Sequence, residues 1–261
     1  DGPADRGAPD QRPAGEGPPP TADGAVKPPD LRPAGDLVPP LDGAVQMDAP
    51  SSIQLVSLVA GPVANAPVPF IPWVHSAPLA PGQVFLVVCG FPAGGDVDGT
   101  GGVTVSVSGT PIAFTRGGPN LVSPSGAPSV GIWGLDVKGA TAAPGVLVEF
   151  SPPRVAACGS SSWSGLKTTT SFSSGASGSP SIPANTYNIA HSVGAGEAFV
   201  GVVATSAASQ IALSGTMAVG WNLAVGQGAA AMVYGVGPAA FSATLTTTPL
   251  TDWRWAYSTL K

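Results

Sequence analysis

The sequence predicts an all-β fold, antiparallel sheets packed as a β-sandwich, with an extended Pro-rich arm ahead of it. Three observations lead there. From residue 51 onward, short apolar runs rich in Val, Ile, Thr and aromatic residues are cut by Gly, Ser and Pro. No long window carries helical 3,4 spacing free of Gly or Pro. The first fifty residues have a different composition altogether, with twelve prolines and no aromatic residue.

That first segment comes first in the argument. It holds nine acids and four bases and so supplies the whole net charge of −5, while the other residues balance at six of each. It cannot bury enough apolar surface to offset the entropy of ordering, which predicts a disordered or extended stalk over 1–50. Pairs such as Pro28-Pro29 and Pro39-Pro40 favour polyproline II. At ~3.1 Å per residue, fifty residues span roughly 150 Å. A crude repeat runs through it: Arg12-Pro13-Ala14-Gly15-Glu16 returns as Arg32-Pro33-Ala34-Gly35-Asp36. Without hydrophobic periodicity, this is an expanded linker rather than a solenoid.

The strands follow in order: Ile53–Ala60, Val84–Phe91, Val103–Ser108, Val130–Val137, Val146–Phe150, Ala198–Thr205, Ile211–Ser214, Ala230–Val236 and Phe241–Thr247. Val103–Ser108 alternates apolar and polar, the mark of one buried and one wet face. Phe85-Leu86-Val87-Val88 does not alternate and suits a central strand covered on both sides. An internal echo accompanies them. Gly82-Gln83-Val84-Phe85-Leu86 resembles Gly196-Glu197-Ala198-Phe199-Val200, and Gly131-Ile132-Trp133-Gly134-Leu135 resembles Met232-Val233-Tyr234-Gly235-Val236. Trp163-Ser164-Gly165-Leu166-Lys167 likewise matches Tyr257-Ser258-Thr259-Leu260-Lys261. The expectation is two related β units, 51–167 and 168–261, forming two packed sandwiches or sharing one larger jelly roll.

Two resemblances bear on role. The run Pro28-Pro29-Asp30-Leu31-Arg32-Pro33-Ala34-Gly35-Asp36-Leu37-Val38-Pro39-Pro40 resembles the Pro/Asp-rich stalks of myxobacterial-type exported lipoproteins. In that family the stalk follows a lipidated cysteine, which is absent from this sequence, and carries a folded domain. The run Gly196–Val200, Gly220-Trp221-Asn222-Leu223, Met232-Val233-Tyr234 and Trp253-Arg254-Trp255-Ala256-Tyr257 is similar to jelly-roll modules of phage tail and other virion proteins. That likeness implies a structural or attachment module and brings no catalytic residues with it.

Candidate sites are few. Cys89 and Cys158, if bonded, staple two strands of one unit and suit an oxidising compartment; the alternative is two small buried thiols. Trp253, Trp255 and Tyr257 share one face of a closing strand, either as core or as a contact strip for a glycan or protein. Gly94–Gly101, with Asp96 and Asp98, reads as a hairpin turn lacking the ligand count for Ca²⁺. His75 and His191 have no neighbouring acid or cysteine, so no zinc set is expected. Paired carboxylates for glycoside hydrolysis, for example Glu149 with Asp136 or Asp252, come from a thin supply of six acids in the folded part. No serine sits in a nucleophile elbow.

The expectation for function is therefore a non-enzymatic, cofactor-free and metal-free exported protein. It would act at the cell surface or outside the cell, as an adhesion, recognition or envelope-structural module on a flexible stalk. A virion structural or decoration protein with an N-terminal assembly arm is the alternative, and a secreted carbohydrate-binding module the second. Expected partners are protein or glycan surfaces, or further copies in an assembly. A net charge of −5 argues against nucleic acid. Membrane contact is expected only through an N-terminal lipid anchor, since no apolar stretch is long enough to span.

Overall fold

The computed structural model describes residues 52–93, 102–112, 127–166, 177–178, 184–207 and 210–261. The stalk 1–50 lies outside them, as do Asp96, Asp98 and their glycine-rich loop. The described residues are all-β, with antiparallel pairing throughout and no helix. The strands are β1 (Gln54–Val74), β2 (Val84–Phe91), β3 (Val103–Val107), β4 (Thr110–Ile112), β5 (Ser129–Asp136), β6 (Gly145–Ser164) and β7 (Ser177–Gly178). After these come β8 (Ala184–Val193), β9 (Ala198–Thr205), β10 (Ala212–Gly215), β11 (Ala218–Val225), β12 (Gly228–Val236), β13 (Ala239–Thr251) and β14 (Trp253–Leu260). The described residues all belong to one compact unit.

The first six strands make one sheet, ordered β4-β3-β6-β2-β5, with β1 along the other edge of β6. β6 pairs with β3 through Val146–Phe150 and with β2 through Ala157–Trp163. β1 follows β6 over its whole length, with register shifts between Ala60 and Phe70. The sheet thus folds over at the middle of β1 and β6, where the bulges supply the extra twist. Its inner face encloses Phe85, Val87, Cys89 and Phe91 of β2 against Val103, Val105, Val146, Val148 and Phe150.

The expected strands Ile53–Ala60 and Val146–Phe150 are only the first parts of β1 and β6. Pro62, Pro67, Pro69 and Pro72 read as strand breakers, yet β1 is an edge strand with bulges, where a missing N–H is tolerated. β8 carries Asn185, Thr186 and Asn188 and gave no strand signal. Pairing with β13 and burial of Ile189 and Val193 hold it in place.

The later strands form two sheets, β10-β13-β8 and β11-β12-β9-β14-β7. Between them lie Ile189, Phe199, Val203, Val233, Leu245 and Trp253. β9 sits between β12 and β14 as β2 sits between β5 and β6. The turns ahead of these two strands match closely. Gly82 and Gly196 both hold positive φ (82° and 71°), the third position of a type II turn. Gln83 N–H donates to Ala80 O, and Glu197 N–H to Gly194 O, each at 3.2 Å.

A third core joins the two assemblies. Val84, Leu86 and Val88 on the outer face of β2 meet Ala198, Val200, Val202 and Ala204 of β9. Across this layer β2 faces β9, while β5 faces β9 and β12 faces β2, an exchange with the character of a two-fold. Both central strands are therefore buried on both faces. The layer is thin at one end: a Cβ on Gly90 would lie 2.5 Å from the Ala230 Cβ.

Candidate functional site

Cys89 and Cys158 stand directly opposite each other on β2 and β6, and their sulfurs are bonded at 2.08 Å. Both are wholly enclosed in the core inside the folded sheet. The bond ties the central strand to the long strand on which the sheet bends.

The aromatic run on β14 divides. Trp253 is fully buried and stacks on Tyr187 of β8 at 6.4 Å. Trp255 and Tyr257 are half-buried and stack on each other at 5.3 Å. The Trp255 indole N–H donates to the Tyr187 hydroxyl at 3.0 Å, and the His191 ring lies 4.1 Å from Tyr257. β14 thus supplies a core anchor and, two and four residues on, an aromatic margin between β8 and β14. Beneath that margin, where Gly201 has no side chain, is an apolar hollow of about 10 Å³, room for one water-sized group.

The histidines occupy comparable places. His75, just past β1, packs edge-on against Phe85 of β2 at 4.9 Å; His191 does the same against Phe199 of β9 at 5.2 Å. His75 is completely buried. Its Nδ1 is 2.9 Å from Ser160 Oγ, its Nε2 2.5 Å from Ser57 Oγ, and Ser57 Oγ is 2.7 Å from Ser162 Oγ. The Trp73 indole N–H also donates to Ser160 at 3.0 Å. Burial lowers the His75 pKa, so the ring is neutral near pH 7. Sequence reasoning missed this cluster, because Ser57 and Ser160 lie far from His75 in the chain and only the β1–β6 register brings them together. His191 is half-exposed, with Nε2 3.3 Å from Thr259 Oγ1. Burial lowers its pKa and the charge of Glu197 partly restores it.

The cluster at His75 has a hydroxyl beside each ring nitrogen and no carboxylate. Either tautomer is served by the hydroxyls, which donate or accept by rotation. The arrangement satisfies a buried polar ring, and no hydrogen bond in it involves an acid that would stabilise an imidazolium.

The carboxylates are dispersed. Glu149 lies in the first part of β6 between Phe70 and Thr104, Asp136 ends β5, and Asp252 lies between β13 and β14. Burial raises the Asp136 pKa, with Lys138 opposing. Glu197 is held low, chiefly by the Gly194 N–H at 2.9 Å and then by Lys261, whose Nζ is 3.0 Å away. Among the described residues no three His, Cys, Asp or Glu side chains gather as a metal set, and no helix is long and apolar enough to cross a membrane.

No family model matches the chain, and no curated protein matches it. Among solved structures, it is similar to a conserved protein of unknown function from Pseudomonas aeruginosa PAO1. The identity is 8%, over 80% of this chain and 89% of that one, at a TM-score of 0.24. It is also similar to an anti-sigma factor domain-containing protein, at 7% identity over 70% and 78% of the two chains and a TM-score of 0.20.

Proposed function

We propose that the chain is an exported, non-enzymatic surface protein: a pair of jelly-roll-like sandwiches, stacked through a shared core and carried on a Pro/Asp-rich stalk. It acts by contact, in adhesion, recognition or envelope structure. The observation that carries this reading is the enclosed Cys89–Cys158 bond, since a structural disulfide belongs to an oxidising compartment. The low charge supports it, because little net repulsion opposes association of the β part with a surface.

The test is mass spectrometry of the native protein from fractionated cells, with free thiols alkylated before any reduction. The expected result is a disulfide-linked Cys89–Cys158 peptide in the envelope or extracellular fraction, and a lipid-modified N-terminal peptide would add the tether. Alkylated thiols in a cytosolic protein would overturn the reading. Sedimentation with particles would replace it by a virion structural role.

A further inference from the structure

A cleft of about 390 Å³ opens where the chain leaving β2, the bend of β6, the bulged part of β1, the end of β9 and the β11–β12 turn converge. It lies within the range of about 300–1,000 Å³ common for small-ligand sites, at a junction between β assemblies where such sites concentrate. Its polar groups are the carboxamides of Asn65 and Gln227 and the hydroxyl of Ser206; its apolar walls are Pro92, Ala93 and Val155. None of these described lining residues is charged.

Two of the polar groups, Asn65 and Ser206, are held by backbone N–H groups. Asn65 Oδ1 accepts the Gly226 N–H at 3.0 Å, which fixes the amide plane and leaves its NH₂ to donate. Ser206 Oγ accepts the Asp252 N–H at 3.2 Å and lies 3.1 Å from Thr251 Oγ1. Gly226 carries positive φ (59°), so the two-residue Gly226-Gln227 turn projects Gln227 from the hairpin tip. The tip is locked against the first sheet, since a Cβ on Gly226 would lie 2.9 Å from Val155 Cγ1.

We propose that this cleft binds a neutral sugar ring. The Gln227 carboxamide offers one donor and one acceptor side by side, the pattern that pairs with vicinal hydroxyls; the Asn65 NH₂ adds a donor, and the Ser206 oxygen has a lone pair beyond the one that Asp252 uses. Pro92, Ala93 and Val155 offer apolar contact to the C–H face of a pyranose. The described lining carries no charge to pair with the acid of a uronate or sialate, which favours an uncharged sugar. The proposal names the ligand for a recognition protein and so rests on the functional reading above.

The test titrates the full chain with glucose, galactose, N-acetylglucosamine and maltose, following backbone amides by heteronuclear NMR. Saturable shifts centred on Ser206, Gly226 and Gln227 are expected for at least one sugar. Gln227→Ala, at an exposed turn, should weaken that binding roughly tenfold, the effect of one lost hydrogen bond, while Asn188→Ala on β8 leaves it unchanged. No saturable shift with any of the four sugars would overturn the proposal. So would shifts centred on Trp255 and Tyr257, or binding indifferent to Gln227→Ala. An exported, disulfide-bonded chain that binds none of the sugars defeats this inference alone; a cytosolic, reduced chain that binds one defeats only the functional reading.

Discussion

Gln83 and Glu197 perform the same local task in two matching turns. Each side chain accepts a hydrogen bond from the backbone N–H three residues earlier, Ala80 N–H to Gln83 Oε1 at 3.0 Å and Gly194 N–H to Glu197 Oε2 at 2.9 Å. Each backbone carbonyl then accepts the N–H just past the neighbouring strand, from Val137 and from Gly237. The first copy does this with a neutral amide, so the charge in the second is not needed for the turn. Glu197→Gln should therefore keep the turn and lose the ion pair with Lys261 and the charge near His191, costing no more than about 1 kcal/mol. Glu197→Ala removes the backbone bond as well and should cost more. Urea unfolding of the two variants checks the order.

The Cys89–Cys158 bond closes a loop of 69 residues. On the chain-entropy model a loop of that size is worth about 4 kcal/mol. Cys89→Ala with Cys158→Ala should lower the denaturant midpoint accordingly. Because both sulfurs are enclosed, thiol labelling of the wild type under reductant should need unfolding. Pulsed alkylation across a urea series measures both.

The two β assemblies approach closely at Gly90. A methyl there would stand 2.5 Å from Ala230 Cβ and 3.3 Å from Ala204 Cβ. Gly90→Ala should cost about 1–3 kcal/mol by overpacking. Adding Ala230→Gly should return part of that loss. A double-mutant cycle in guanidinium reads the coupling.

Both histidines bind protons less readily folded than unfolded, because burial lowers their pKa values from 6.5. Below that value the unfolded chain holds more protons than the native one, so stability falls as pH falls. The contribution is complete above about pH 6.5 and is lost as pH drops through the lowered folded values. His75 faces Ser57, Ser160, Phe85 and the Trp73 indole, with no acid among these groups, whereas His191 has Glu197 nearby. Melting temperatures between pH 8 and 5 should decline, and the decline should be shallower in His75→Gln. A flat profile would show that neither ring is buried neutral.

Trp253 and Trp255 separate core from margin on one strand. Trp253→Ala should cost about 3–5 kcal/mol, as for a fully enclosed indole. Trp255→Ala, at a half-exposed position, should cost clearly less. Chemical unfolding followed by circular dichroism distinguishes them.

Much of the strand content was legible because its signals are local. The unbroken apolar run of β2 announced a strand covered on both faces, and every residue of β2 is buried. The internal echo was legible too, but its alignment slips against the register. Asp136 lies opposite Val84 and Val236 opposite Ala198, so Trp133 corresponds to Val233 rather than Tyr234. One residue reverses the face: Trp133 fills the core within its own sheet, while Tyr234 packs in the shared layer beside Trp163. At the chain's end the slip is three residues, since Trp163 and Leu260 hold the places opposite Val84 and Ala198.

The sequence by itself determined the β character, the covered central strand β2 and the contrast between a charged, Pro-rich arm and a nearly neutral β part. Those follow from composition and period-two patterning, which act within a few residues. Tertiary structure alone decided that Cys89 meets Cys158, that three serines gather around His75, and that the Gly226-Gln227 turn closes on Asn65. Each depends on register between strands distant in the chain. Register is set by which faces can be buried together, a property of whole sheets rather than of any segment.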